Sequence, residues 1–300
     1  MNLEDFRGAL EEFNFWWIAL SIGLSILSHL LRAWRWGLLL KSSGHPSTLL
    51  NNYFAVMIGY LANSVFPRLG EITRCGVINR TDSVPVPKAL GTVVTERVID
   101  LCILLLLSGV TFLLQFNLLE SYFEDAMSNL NTKLTSNWWQ LLMLFIIGIS
   151  SLYILFKSNL GKRFVFIKKV RAFLKDLWIG MLSLKNVKNQ FGFWASTLSI
   201  WALYFLMLYV ITFGSPVTQN LGILAGFSIL VLGSFGMATP IPNGIGVFHT
   251  LVAGVLVLYG IDYEQGIIFA TIMHTSQFIT VLVVGSISLV LVNVKNKKKA

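Results

Sequence analysis

Charged side chains are scarce in this chain of 300 residues, at 12% against 55% hydrophobic. An ordinary soluble domain carries roughly twice that charged fraction, so water is not the main solvent of the fold. Cysteine is nearly absent: Cys75 and Cys102 stand alone, without CxxC spacing or a nearby histidine, which excludes a zinc site and a disulfide framework. The chain has no GxxxxGK[ST] phosphate loop and no HExxH helix, which removes ATP as a driver and the common metallopeptidase chemistry. A basic signal-peptide start is missing too, because Glu4, Asp5, Glu11 and Glu12 oppose a single Arg7. The formal charge of +9 does not mark a nucleic-acid protein, since the basic residues sit in short stretches beside apolar runs.

What the chain does have is apolar length. Runs at about residues 15–31, 98–114, 139–156, 191–213, 221–239, 245–260 and 266–292 are long enough to cross hydrocarbon. They predict an all-α, polytopic transmembrane helical bundle of about seven spans, forming one membrane domain over residues 1–300. Leu3, Phe6, Leu10 and Phe13 recur at helical spacing, so residues 1–13 read as an amphipathic interfacial helix. The segment 157–190 holds nine lysines and arginines against Asp176, and the tail holds Lys295, Lys297, Lys298 and Lys299. By the positive-inside rule both are cytoplasmic, and the acidic Glu120, Glu124 and Asp125 are external. The apolar residues among those lysines suit a helix held to anionic headgroups; an orientation loop with no ligand is the alternative.

An eighth run, 53–66, is short and interrupted. Arg32, Arg35 and Lys41 precede it and Arg68, Arg74, Arg80 and Lys88 follow it, so both its ends read as cytoplasmic. That makes residues 50–70 a re-entrant hairpin and leaves the N-terminus external; the alternative is a short full span with the N-terminus inside. The tryptophans at 16, 17, 34, 36, 138, 139, 178 and 194 mostly flank the runs and read as interfacial anchors.

Polar groups that could handle a ligand gather at two helix breaks, the usual pointer to a substrate site in a membrane protein. At the first, Pro67 and Gly70 break the chain, and Glu71 and Arg74 then share a helix face. Arg68 and Arg74 could clamp a phosphate while Glu71 orients an arginine or meets a cationic headgroup; a turn obeying only the positive-inside rule is the alternative. The second runs Pro240-Ile241-Pro242-Asn243-Gly244-Ile245-Gly246 and ends near His249. Its freed backbone groups can bind a polar group, with Pro240 and Pro242 as breakers and Asn243, Gly244, Gly246 and His249 as candidate contacts. Between the breaks lie Glu96, Arg97 and Asp100, read as a paired cluster at the start of a span, with an interfacial anchor as the alternative. His274 and Gln277 face one side of the last run and suit interhelical hydrogen bonding. Gly222 and Gly226 read as a small-xxx-small helix contact.

Taken in order, Arg32-Ala33-Trp34-Arg35-Trp36, Pro67-Arg68-Leu69-Gly70-Glu71 with Arg74, Thr95-Glu96-Arg97 with Asp100, and Pro240 through Gly246 form a pattern over nearly the whole chain. It resembles the membrane domain of lysylphosphatidylglycerol synthases and its stand-alone, flippase-like relatives. The resemblance implies a polytopic inner-membrane protein that handles phospholipids or lipid-linked molecules. The aminoacyl-transferase domain is absent, so lipid synthesis is not implied. Many relatives carry a glutamate where this chain has His249, and relatives usually have one more N-terminal helix, which suggests that this chain starts late. The leading expectation is a lipid transporter with no catalytic residues, cofactor or metal, its partners being membrane lipids, with a homo-oligomer allowed. The rivals are an intramembrane enzyme using Glu71 or His249 as base, and a non-catalytic scaffold.

Overall fold

A computed structural model describes residues 3–116, 185 and 187–297. Two compact units divide the chain, residues 1–114 with 184–300, and 115–183. Of the second unit only Gln115 and Phe116 belong to the described residues, so the run 139–156 and most of the basic segment 157–190 lie outside them.

The described residues are helical, with no strand. Numbered along them, the helices are α1 (Leu3–Glu11), α2 (Phe15–Ser42), α3 (Leu49–Val65), α4 (Leu69–Asp82), α5 (Val86–Leu114), α6 (Gln190–Thr212), α7 (Ile223–Ala238), α8 (Val247–Leu258) and α9 (Tyr263–Lys297). Four of them, α2, α5, α6 and α9, are long and apolar enough to cross a membrane. The expected runs 221–239 and 245–260 fall short of that length, because α7 has 16 residues and α8 has 12. At 1.5 Å per residue these reach about 24 and 18 Å, below the hydrocarbon thickness of about 30 Å.

Large apolar side chains face outward along the long helices, as lipid as solvent allows, while a set of polar and charged ones is buried beside the apolar cores. Leu106 and Leu113 of α5 are 61% and 73% exposed, whereas Ser28 of α2 and Glu96 of α5 are at 0%. Among the anchors, Trp16 is exposed as expected, but Trp36 is fully buried and donates its indole N–H to Thr92 Oγ1 at 2.9 Å. It belongs to the core between α2, α3, α4 and α5 rather than to an interface. The amphipathic α1 forms, and its apolar face packs on the α6–α9 core through Phe6 and Leu10, with Phe13 just beyond its end buried in the same core.

Two helical hairpins interrupt the long helices. In α3–α4 the chain reverses over Phe66 to Arg68, with Arg68 in the left-handed region at φ 65°. The reversal is tight because Gly59 and Gly70 let the two backbones touch: a Cβ on Gly70 would collide with the Gly59 carbonyl oxygen. Asn63 Oδ1 accepts the otherwise unpaired Gly70 N–H at 2.7 Å. At the open end Asp82 accepts from the Thr48 N–H and from Asn51 Nδ2, tying the start of α3 to the end of α4.

The second hairpin joins α7 to α8 through a 3-10 turn at Pro242–Gly244, with Asn243, Gly244 and Gly246 all at positive φ. Its two arms close on Gly236, where a Cβ would meet the Phe248 backbone at 2.7 Å. The expected small-residue contact holds only at Gly226, which meets the rings of Tyr209 and Phe205 on α6, while Gly222 has nothing within 4 Å.

Candidate functional site

The first site grows from helix periodicity. Arg32 and Arg35 are three apart on α2, Glu96 and Asp100 are four apart on α5, and each pair shares a helix face. Those faces meet. Arg32 places Nε 2.7 Å from Glu96 Oε1 and Nη2 2.8 Å from Asp100 Oδ2. Arg35 Nη2 lies 2.8 Å from Asp100 Oδ1 and 3.4 Å from Glu96 Oε1. From α4, Arg74 Nη2 donates to Glu96 Oε2 at 2.7 Å, and its guanidinium carbon sits 4.5 Å from the centre of the Trp36 ring. The hairpin turn makes that reach possible, because Gly70 draws α4 against α3 and leaves Arg74 one helical turn further on.

Hydroxyls complete the shell. Arg32 Nη1 donates to Tyr204 Oη at 2.7 Å and Arg35 Nη1 to Thr197 Oγ1 at 3.3 Å, both on α6. The Arg35 and Glu96 side chains are wholly buried, and Arg32 and Arg74 keep 4% exposure. Mutual pairing is what lets so many charges stay buried, and removing one member of such a set costs about 3–5 kcal/mol.

The expected cluster of Glu96, Arg97 and Asp100 is therefore rearranged. Glu96 and Asp100 do act together, but their cations come from α2 and α4. Arg97 instead pairs with Glu71, Nη2 to Oε1 at 3.0 Å, with the two side chains 41% and 25% exposed. The reason is length: α5 starts at Val86 rather than near residue 98, so Glu96 and Asp100 are inside the bundle and Arg97 turns to its rim. Arg68 stays exposed at the hairpin turn with Pro67.

The expected first span, 15–31, places Arg32 and Arg35 on a cytoplasmic flank. The α2 helix continues to Ser42 and buries both. An ionisable residue inside a helix that stays apolar on either side was the signal available. A polar stripe runs on from them along α2, where Ser21, Ser25, Ser28 and His29 are buried. His29 lies near Ser25 Oγ at 3.4 Å and packs on Tyr60 with ring centres 4.8 Å apart. Ser21 accepts from Gln277 Nε2 at 2.9 Å, so Gln277 bonds across helices as expected, but to α2.

The second break builds a separate, uncharged site. His274 Nε2 on α9 lies 2.9 Å from the Asn243 carbonyl oxygen, so that nitrogen carries the proton and donates. His249 Nδ1 accepts the Gly246 N–H at 3.2 Å, which caps α8, and the His249 and His274 rings are centred 4.8 Å apart. Asn243 Nδ2 donates to Ser64 Oγ at 3.1 Å, linking this tip to the end of α3. Gly244 is buried under Gly236, while Pro240 and Gly246 are exposed. A cavity of 410 Å³ lies elsewhere, lined by Asp5 and Glu12 near α1 and by Asp262 and Glu264 at the start of α9, and it holds no member of the ion cluster. Among the described residues no three His, Cys, Asp or Glu side chains converge as a metal site would require.

Residues 1–285 match the lysylphosphatidylglycerol synthase TM region, which spans the cluster, both hairpins and most of α9. The chain belongs to that family. It is an integral, multi-pass membrane protein, as the apolar helices require. A UPF0104 membrane protein of Methanocaldococcus jannaschii is 28% identical over 108 residues, covering 35% of this chain and 32% of the relative. The match thus spans about a third of that relative. No solved structure matches the chain significantly.

Proposed function

We propose that this family member is a lipid transporter of the flippase-like kind, taking phospholipids or lipid-linked molecules between leaflets. One observation carries the reading: five paired charges on α2, α4 and α5 are sequestered in a bundle whose outer surface is apolar. Crossing hydrocarbon unaided costs a charged headgroup many kcal/mol, and a lining of fixed charges lowers that barrier. The half-buried Glu71–Arg97 pair is the mouth of this lining, and the polar stripe of α2 is its continuation through the bundle. Acyl tails stay in the bilayer.

In this reading the two hairpins are re-entrant elements of an inner-membrane protein whose C-terminus and segment 157–190 are cytoplasmic and whose N-terminus is external. The lipid leaves unchanged, so the protein is not an enzyme. Purified protein in liposomes is expected to move fluorescent lipids between leaflets, read by dithionite quenching, while mass spectrometry finds the lipids intact. A new lipid product without a change in leaflet distribution would make it an enzyme and overturn the proposal.

A further inference from the structure

The ion cluster has a charge imbalance. Three guanidiniums, Arg32, Arg35 and Arg74, face two carboxylates, Glu96 and Asp100, so one positive charge is in excess among the described residues. The Glu71–Arg97 pair beside it is neutral as a unit and does not offset this. A buried cation without compensation is costly, and arginine cannot lose its proton to escape the cost. An anion outside these side chains would supply the compensation.

The donors for such an anion are in place. The Nε atoms of Arg35 and Arg74 are buried without a hydrogen-bond partner among the described residues, although both side chains are at least nine-tenths buried. The cluster also has one open flank: Asp100 is 15% exposed, and Glu71 and Arg97 more so. A phosphate diester has the matching chemistry, a single negative charge with two oxygens that accept from N–H donors.

We propose that the Arg32–Arg35–Arg74 cluster binds a lipid phosphate diester whose headgroup has a net charge of −1, and selects against zwitterionic and cationic headgroups. This rests on the transporter reading and names its substrate class. Selection follows from the same imbalance, since a headgroup that brings its own ammonium leaves the excess uncompensated or adds a like charge.

Thr197 offers a way to supply the missing charge from within. It is buried, and its Oγ1 accepts from Arg35 Nη1 at 3.3 Å, so Thr197→Asp sets a carboxylate against the excess cation, and Thr197→Asn is the neutral control. The three proteins are placed in phosphatidylcholine nanodiscs with a third of the lipid replaced by phosphatidylglycerol or lysylphosphatidylglycerol, or with the diester glycerophosphoglycerol in solution. Thermal unfolding is then followed.

Phosphatidylglycerol is expected to raise the wild-type Tm by about 5 °C, and the other two additions by no more than about 1 °C. Thr197→Asp is expected to be more stable than wild type in phosphatidylcholine alone and to lose the phosphatidylglycerol shift, while Thr197→Asn keeps it. A wild type unmoved by phosphatidylglycerol, or moved as much by the lysyl lipid, overturns the proposal. So does a Thr197→Asp variant that keeps the full shift, because the effect is then one of bilayer charge. An equal shift from soluble glycerophosphoglycerol makes the ligand a soluble diester and overturns the lipid assignment. If Thr197→Asp does not fold, the wild-type arms decide. The leaflet assay separates the two readings: equal movement of phosphatidylcholine and phosphatidylglycerol keeps transport and overturns this inference, whereas phosphatidylglycerol binding without movement does the reverse.

Discussion

The two hairpins solve the same geometric problem with opposite chemistry. Both reverse the chain on glycines that let backbones touch, Gly59 with Gly70 in α3–α4 and Gly236 with Gly244 and Phe248 in α7–α8. The first uses its reversal to deliver charged side chains, since Glu71 and Arg74 leave its turn directly for Arg97 and Glu96 on α5. The second delivers backbone: the Asn243 carbonyl and the Gly246 N–H are taken up by His274 and His249, and no formal charge is involved. One break thus builds an ion cluster whose members depend on each other, and the other a neutral joint held by single hydrogen bonds. Damage should spread through the first and stay local in the second.

That contrast is broken most severely at Glu96. Glu96→Gln leaves three arginines facing Asp100 alone, and stability is expected to fall by about 3–5 kcal/mol, seen as lost expression or a large drop in Tm. A variant as stable as wild type would show that the charges do not depend on each other. Next comes Gly70→Ala, whose Cβ would press on the Gly59 carbonyl oxygen. A loss of about 3 kcal/mol is expected from overpacking, together with loss of the Arg74–Glu96 contact. Crosslinking of cysteines placed across α3 and α4 checks whether the arms part.

The second hairpin should respond less. His274→Ala removes a single hydrogen bond to Asn243 and is expected to cost about 1 kcal/mol in thermal unfolding, with the ion cluster intact. A loss as large as that of Glu96→Gln would join the two sites into one network and erase the distinction.

Much of this was legible because apolar runs and helical spacing are one-dimensional. The runs later found as α2, α5, α6 and α9 stand out by length, and the i,i+4 spacing of Glu96 and Asp100 and the i,i+3 spacing of Glu71 and Arg74 place each pair on one face. What spacing cannot give is the partner on another helix. Arg97 lies next to Glu96 in sequence yet turns to Glu71, and Arg32 and Arg35 reach Asp100 across 68 and 65 residues. Trp36 looked like an interfacial anchor because it follows an apolar run, but α2 continues past it and buries it under Arg74. Charge beside an apolar run usually marks a helix end, and here it marks the middle of α2 and α5.

The rim pair Glu71–Arg97 gives the most direct test of the central claim, because it separates transport from folding. This half-buried pair is joined by one contact, and Glu71→Gln keeps an oxygen that can accept it, so the variant is expected to lose about 1 kcal/mol and to unfold within a few degrees of wild type. In liposomes the same variant is expected to move fluorescent phosphatidylglycerol about tenfold more slowly than wild type, the equivalent of about 1.4 kcal/mol at the barrier. Transport by Glu71→Gln at the wild-type rate would contradict the account, for the charges would then hold the bundle together without handling a headgroup.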